Sequence, residues 1–373
     1  MTNATRTRMG RLPLVALGLL SLVCGVWGGL IRLPLNLPLA ANQANWITYH
    51  GPLMVCGFLG TVIALERAAG LQRWWTYAAP LLTGTGALVL IAGIVGHRGI
   101  ILITVGSAVF VVVTLHVVQL QWALFTIVMS VAACAWLTGD ILWLCDWPIS
   151  RVVPWWIAFL GLTIIGERLD LSRFQRQVPV ARPLLLIALL LFISGIILSA
   201  FRQRPGEWLS GSGLTALALW LARFDIARRA VKQPGLPRFM AICLLIGFFW
   251  LGVAGVLLGL VPPLASGPYY DAPLHSFFLG FVFSMIFGHA PIIFPSVLNR
   301  PIAFSRRFYV HLALLHAGVL LRVLGDVTAW WSGRRWGGAI NAIAIALFLL
   351  NTIISLVWSK SRSVPANHNS EAR

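Results

Sequence analysis

Long apolar runs recur along the whole chain, each bounded by proline, glycine or charged residues. Of the 373 residues, 59% are hydrophobic and only 10% are charged. An α-helix of roughly 20 apolar residues crosses a hydrocarbon layer about 30 Å thick, and a helix satisfies its own backbone polar groups inside lipid. The runs therefore predict an all-α, polytopic membrane bundle rather than a soluble globular fold.

The runs divide the chain into about twelve predicted transmembrane helices, which form a single membrane domain over residues 1–373. The loops between them are too short for a sizeable soluble domain. The first run follows a basic segment, as in a signal peptide, but it is long enough to be an uncleaved first helix. The predicted spans are 12–33, 46–65, 75–95, 99–117, 121–145, 153–170, 182–201, 207–223, 238–262, 273–297, 308–330 and 337–358.

The basic residues predict how this bundle is oriented in the membrane. If both termini are cytoplasmic, seven of the 28 lysine and arginine residues lie in external segments, one lies well inside a span, and the other 20 are cytoplasmic. This asymmetry follows the positive-inside rule. It also accounts for the net charge of +18 through contacts with the lipid bilayer, so nucleic acid is not expected as a partner. The external residues are Arg32, Arg98, Arg151, Arg202, Arg204, Arg334 and Arg335, and the residue inside a span is Arg322.

Two histidines open predicted helices on the same side of the membrane. His50 lies near the start of the second helix and His275 near the start of the tenth, and both helices begin at the external face. With a rise of about 1.5 Å per residue, the two imidazoles share a depth in the outer leaflet. An ionisable group inside a membrane is costly, so each one is a functional hypothesis by default. An isolated histidine more often donates to a carbonyl of a neighbouring helix. Two imidazoles from two helices at one depth suit a bis-histidine haem.

Arginines near the same face could bind the propionates of such a haem. The predicted external loop between the last two helices reads WWSGRRWGG and carries Arg334 and Arg335, which could bind carboxylates bidentately. The alternative role for this pair is to anchor the chain at the membrane interface. Arg322 lies one turn before Asp326, so these two side chains are expected to neutralise each other. Arg322 could instead reach a propionate.

Three further histidines lie in the inner half of the predicted bundle. His289 follows His275 by fourteen residues, which is about 21 Å along a helix axis, so these two cannot share one metal. His311 and His316 open the eleventh helix from the cytoplasmic side, and their spacing lets at most one of them face His289. Because imidazoles suit copper, the three residues are a predicted site for copper or a second haem, with no metal as the alternative.

Other charged residues are expected to be structural. Asp140, in LTGDILW on the fifth helix, is expected to hydrogen-bond a neighbouring helix, with a place in a proton relay as the alternative. Glu66–Arg67 and Glu167–Arg168 end two similar segments, FLGTVIALER and FLGLTIIGER. Both dipeptides are expected to be solvated pairs at the cytoplasmic boundary.

Two of the predicted helices resemble haem-binding helices of a known family. The second reads YHGPLMVCGFLG, which resembles the His-Gly-x-x-Met opening of helix 2 in the catalytic subunits of haem-copper oxidases. The tenth reads HSFFLGFVFSMIFGHAPIIFP, which is similar to helix 10 of that family, where a haem-binding histidine precedes a Phe-Pro dipeptide. The resemblance implies an oxidase-like bundle in which His50 and His275 ligate a low-spin b-type haem. It also implies that Arg334 and Arg335 hold the haem propionates.

The sequence departs from the oxidases at their second metal centre. The position of the other helix-10 histidine, which binds the high-spin haem, is occupied by Pro273. Residues 153–201, where the family draws copper ligands, contain no histidine. The usual binuclear centre is therefore not expected. The chain is more similar in kind to NnrS-type proteins, which are twelve-helix relatives with haem and copper that are tied to nitric oxide stress and denitrification.

The resemblance predicts a haem-binding protein of a prokaryotic cytoplasmic membrane, with a role in electron transfer or nitric oxide handling. A quinol or a cytochrome would be its electron donor, and if it is an enzyme it would be a membrane oxidoreductase. Two other functions stay open. One is a permease for small solutes without haem, with Asp140, Arg322 and the inner histidines along its path. The other is an assembly partner of a respiratory complex.

Overall fold

A computed structural model describes residues 3–33, 35, 37–38, 42–173, 178–298 and 304–361. Its description of side chains leaves out 3–10, 293–298 and 356–361, which include the Phe-Pro dipeptide at 294–295. Four of the 20 lysine and arginine residues predicted to be cytoplasmic lie outside the described residues, namely Arg176, Arg300, Arg362 and Arg373.

The described residues are helical almost throughout and contain no strand. Within them, eleven helices are long and apolar enough to cross a membrane, so the predicted all-α membrane class is confirmed. A further long helix, α8, is less apolar than these eleven. In chain order, the long helices of the described residues are α1 (Asn3–Ile31), α2 (His50–Leu71), α3 (Trp74–Ile91), α4 (Arg98–Leu120), α5 (Leu124–Leu144), α6 (Ile149–Ser172), α7 (Ala181–Phe201), α8 (Gln203–Phe224), α9 (Leu236–Leu260), α10 (268–298), α11 (Phe308–Val327) and α12 (Trp331–Ser361). Two short helices, Gln43–Thr48 and Ala227–Ala230, precede α2 and α9.

Each predicted span overlaps one of these helices. The ends that differ by five residues or more are the starts of α1, α10 and α12 and the end of α2. The tenth helix begins at Pro268 instead of 273, because Gly267 adopts a φ of 100° and a proline is favourable in a first helical turn. The last helix begins at Trp331 instead of 337. The prediction that Arg334 and Arg335 lie in a loop is therefore wrong, since both lie in the first turns of α12.

Consecutive helices pack side by side, and small residues bring some of them close together. A Cβ on Gly195 of α7 would collide with the backbone of Ser210 on α8, and one on Gly213 of α8 would collide with the backbone of Phe192 on α7. Close approach of small residues is how membrane helices gain van der Waals contact where lipid offers no hydrophobic driving force. Because of these contacts, α8 packs within the bundle although its first turn, QRPGEW, is polar.

Candidate functional site

His50 and His275 line one cavity, whose volume is about 320 Å³. Residues from α1, α2, α6, α10, α11 and α12 complete its walls, and Arg322 and Arg334 are among them. A volume of this size lies at the low end of the roughly 300–1,000 Å³ range of ligand pockets. The structure therefore brings together four of the five residues that the sequence predicts for the outer site.

Both histidines of the cavity are held through Nδ1. The Nδ1 atom of His50 lies 2.6 Å from the carbonyl oxygen of Gly25 on α1. The Nδ1 atom of His275 lies 2.8 Å from the carbonyl oxygen of Asp271, one turn earlier on α10. Because a carbonyl oxygen can only accept, each Nδ1–H donates, and each neutral ring keeps its lone pair on Nε2. Such a hydrogen bond fixes the tautomer and orientation of a metal-ligating histidine.

A glycine on α1 makes room for the ring of His50. A Cβ added to Gly29 would lie 2.7 Å from Cε1 and 2.9 Å from Nδ1 of that imidazole. Carbon atoms do not approach this closely without a shift of one of them, so any larger residue at position 29 would displace the ring. The imidazole of His50 therefore packs directly against the backbone of α1.

Each histidine is followed by a segment of π-helix. In α2 the segment is Leu53–Gly60, which starts three residues after His50. In α10 it is Ser276–Phe283, which starts directly after His275. Isolated π-helical turns occur often at functional sites, because the extra residue in the turn shifts the side chains before it relative to those after it. In α2 and α10 the π-helical segment therefore rotates the histidine about the helix axis relative to the side chains that follow the segment.

Two arginines and two aspartates form a buried network beside the cavity. Arg322 donates from Nε to Asp326 Oδ2 at 3.0 Å and from Nη2 to Asp271 Oδ2 at 3.1 Å. Arg334 pairs through Nε with Asp326 Oδ1 at 3.2 Å and donates from Nη2 to Asp271 Oδ2. None of the four side chains is more than 13% exposed. The predicted pairing of Arg322 with Asp326 is confirmed, and the network adds Arg334 and Asp271 to it.

The comparisons with known proteins give a family and no described function. The family described as "Domain of unknown function (DUF8744)" matches residues 11–357, which is most of the chain. The chain belongs to the DUF8744 family. No curated protein and no solved structure matches it.

The sequence pattern misses two charged residues that line the cavity of this DUF8744 chain, and it includes one arginine that does not line it. Asp271 and Arg32 line the cavity, whereas Arg335 is not among the lining residues. The guanidinium of Arg335 lies over the ring of Trp336, 5.9 Å from its centroid. The signal for Asp271 was available, because it lies one helical turn before His275. The position of Arg32 depends on how the chain leaves α1, which the sequence pattern does not specify.

His289 and His316 have hydrogen-bond partners of their own. His289 donates from Nδ1 to the carbonyl oxygen of Met285 at 2.7 Å, and its Nε2 lies 3.4 Å from Nη1 of Arg168. The indole of Trp250 donates to Nδ1 of His316 at 3.0 Å. A lone pair that already accepts a hydrogen bond is not free for a metal. Each of these two rings is therefore satisfied by a different set of neighbours.

The ring of His311 is fully buried among aromatic side chains. Its centroid lies 4.8 Å from that of Phe287 and 5.4 Å from that of Phe308, and its Nδ1 lies 3.1 Å from Nδ2 of Asn351. In the described parts of the chain, no three or more His, Cys, Asp or Glu side chains are grouped so that they could hold a metal ion. Copper or a second haem at His289, His311 and His316 stays a prediction.

The two Glu-Arg dipeptides are paired differently from the sequence prediction. Arg67 of α2 donates to Glu167 of α6 at 2.9 Å, so the two similar segments meet there. Arg168 binds Asp225 through two hydrogen bonds of 2.8 Å, and these side chains are only 3% and 1% exposed. The expectation of solvated pairs within each dipeptide is wrong, because adjacent residues on a helix point in different directions.

Asp140 hydrogen-bonds a neighbouring helix, as predicted. Nε1 of Trp156 on α6 donates to Asp140 Oδ1 on α5 at 3.0 Å. The thiol of Cys56 on α2 lies 3.5 Å from the same oxygen. Because Trp156 also lines the cavity, Asp140 helps to hold one of its walls.

Proposed function

We propose that the protein binds one b-type haem in the cavity and that His50 and His275 would hold its iron. The observation that carries the proposal is the shared state of the two imidazoles. Each donates from Nδ1 to a main-chain carbonyl oxygen, which leaves the Nε2 lone pair for a metal, and both rings line the same cavity. Neutral imidazole nitrogens with a fixed tautomer are suitable haem ligands.

The remaining walls of the cavity suit the rest of a haem. Apolar and aromatic side chains, including Phe278, Phe283 and Ile345, line the part that would hold the macrocycle. The guanidinium groups of Arg322 and Arg334 reach the cavity, and arginine matches the geometry of a carboxylate such as a propionate. Pockets with mostly apolar walls and a few placed polar groups are typical of cofactor sites.

A haem held by His50 and His275 would supply one-electron transfer, because two histidine ligands would leave the iron no open position for a substrate. The side chains of the cavity then have three tasks. His50 and His275 hold the ligand, the apolar walls exclude water, and the arginines compensate carboxylate charge. This division of roles favours electron transfer, in respiration or in nitric oxide handling, over catalysis at this site.

The proposal extends to an oxidase-like or NnrS-like bundle with both termini in the cytoplasm of a prokaryote. The distribution of basic residues along the sequence supports this orientation, and a quinol or a cytochrome would then deliver electrons at the membrane. The inner histidines are outside the proposal, because His289, His311 and His316 have separate partners.

The direct test is the absorption spectrum of the full-length protein purified in detergent, oxidised and then reduced with dithionite. We expect a low-spin b-type spectrum and one haem per chain by the pyridine haemochrome assay, with metal analysis to determine iron and copper. A protein that shows no Soret band, even after haem is added, would favour a small-solute permease. Stably bound haem that dithionite cannot reduce would favour the assembly partner.

A further inference from the structure

Asp271 contacts both functional parts of the cavity. Its main-chain oxygen accepts the hydrogen bond from Nδ1 of His275 at 2.8 Å. Its side-chain oxygen Oδ2 accepts hydrogen bonds from Nη2 of Arg322, at 3.1 Å, and from Nη2 of Arg334. One residue thus joins the predicted iron ligand to the two arginines.

The two aspartates of the network bind different sides of the arginines. Asp326 is fully buried and pairs with the Nε atoms of Arg322 and Arg334, at 3.0 and 3.2 Å. Asp271 binds the Nη2 atoms of the same arginines and lines the cavity, whereas Asp326 does not. Asp326 therefore orients the two guanidinium groups from behind, and Asp271 binds them from the cavity side.

The network is already balanced in formal charge, with two arginines and two aspartates. A ligand carboxylate that joined it without displacing a partner would bring an uncompensated negative charge into a region of low dielectric constant. The Nη2 groups that Asp271 binds are the donors on the cavity side. Arg32 also lines the cavity, so the cavity has a third arginine for a displaced carboxylate.

We propose that Asp271 is a positioning residue whose carboxylate exchanges with a carboxylate of the bound ligand at Nη2 of Arg322 and Arg334. The exchange sets the affinity of the cavity for a tetrapyrrole that carries free carboxylates. This inference rests on the proposed function. It adds that Asp271 competes with the ligand carboxylate for Arg322 and Arg334.

The exchange is tested by titrating two probes into full-length protein purified from haem-limited cells. The probes are ferric haem and its dimethyl ester, which lacks the free carboxylates, and binding is followed in the Soret region. In Asp271→Asn we expect haem to bind several-fold more tightly, because the side chain no longer competes as an anion for Nη2. The affinity for the ester is expected to stay unchanged.

Asp326→Asn is the matched control, because it removes the same charge from the same network and leaves Asp271 on Nη2. Its ratio of haem affinity to ester affinity is expected to rise less than in Asp271→Asn, because Asp271 still competes with the ligand for Nη2. A second variant, Arg334→Gln, is expected to lower this ratio, and it keeps the test available if Asp271→Asn does not fold.

An equal change for haem and ester in Asp271→Asn, or no change for either, would overturn the exchange. An unchanged ratio in Arg334→Gln would do the same. The failure of the proposed function is distinguishable, because the wild-type protein would then bind neither probe through two imidazoles.

Discussion

At the scale of single residues, His50 and His275 reach the same chemical state by different routes. His275 donates to a carbonyl of its own helix, whereas His50 donates to Gly25 on α1. The second route depends on the contact between α1 and α2, where Gly29 leaves space for the ring. The orientation of His50 is therefore a property of two helices.

Replacement of Gly29 by alanine tests this dependence. The new Cβ would lie within 3 Å of two ring atoms of His50, and overpacking of this kind costs about 1–3 kcal/mol. We expect Gly29→Ala to lower the thermal midpoint of the protein and to weaken or remove the six-coordinate haem spectrum. Gly70→Ala, at a position on α2 where a Cβ meets nothing within 4 Å, is the control. A wild-type spectrum and midpoint in Gly29→Ala would contradict the contact.

The sequence predicts which residues face the cavity better than it predicts their partners. His50, His275, Arg322 and Arg334 all line it, because helix order and helical spacing determine their depth. Arg335 does not, because its side chain leaves α12 in a different direction from that of Arg334. Asp271 completes the network only when α10, α11 and α12 pack together, and a pattern along one helix carries no such information.

At the scale of helices, the apolar runs predict the order of the elements and the approximate position of each. The starts of α10 and α12 differ from the prediction, because polar or proline-containing turns precede the apolar residues there. The π-helical segments Leu53–Gly60 and Ser276–Phe283 have no signal in the periodicity of apolar residues, since both are apolar on all sides. Local backbone geometry of this kind depends on tertiary packing.

Two ion pairs between helices, Arg67–Glu167 and Arg168–Asp225, differ in burial. This difference predicts how much each pair contributes to stability. Asp225→Ala leaves Arg168 as a buried charge without its carboxylate, which is expected to cost about 3–5 kcal/mol. Glu167→Ala breaks a pair whose side chains are 25% and 21% exposed, with an expected cost of at most about 1 kcal/mol. The thermal midpoint in detergent measures both. Equal midpoints for the two variants would contradict the assigned difference in burial.

At the scale of the whole molecule, the cavity lies at one end of the bundle and the Arg67–Glu167 and Arg168–Asp225 pairs lie at the other. Ile149 at the start of α6 lines the cavity, and Cys145 lies just before this helix. The loop with Cys145 is therefore at the cavity end. The basic residues predict that this end faces the outside. Under the proposed function, an electron donor would approach the cavity from that side.

A membrane-impermeant maleimide tests this orientation in intact cells. We expect it to label Cys145, which is exposed, and to leave Cys145→Ser unlabelled. Cys134 is also exposed but lies in the middle of α5, where lipid would shield it from the reagent. If Cys145 reacts only after the membrane is opened, the cavity faces the cytoplasm and the predicted orientation is wrong.

Absorption spectroscopy of single-histidine variants shows whether His50 and His275 bind one iron together. We predict that His50→Ala and His275→Ala each lose the low-spin six-coordinate spectrum and most of the haem per chain. His316→Ala, which removes a histidine that does not line the cavity, should retain both. If His50→Ala and His275→Ala keep the wild-type spectrum and haem content, these residues are not the ligands.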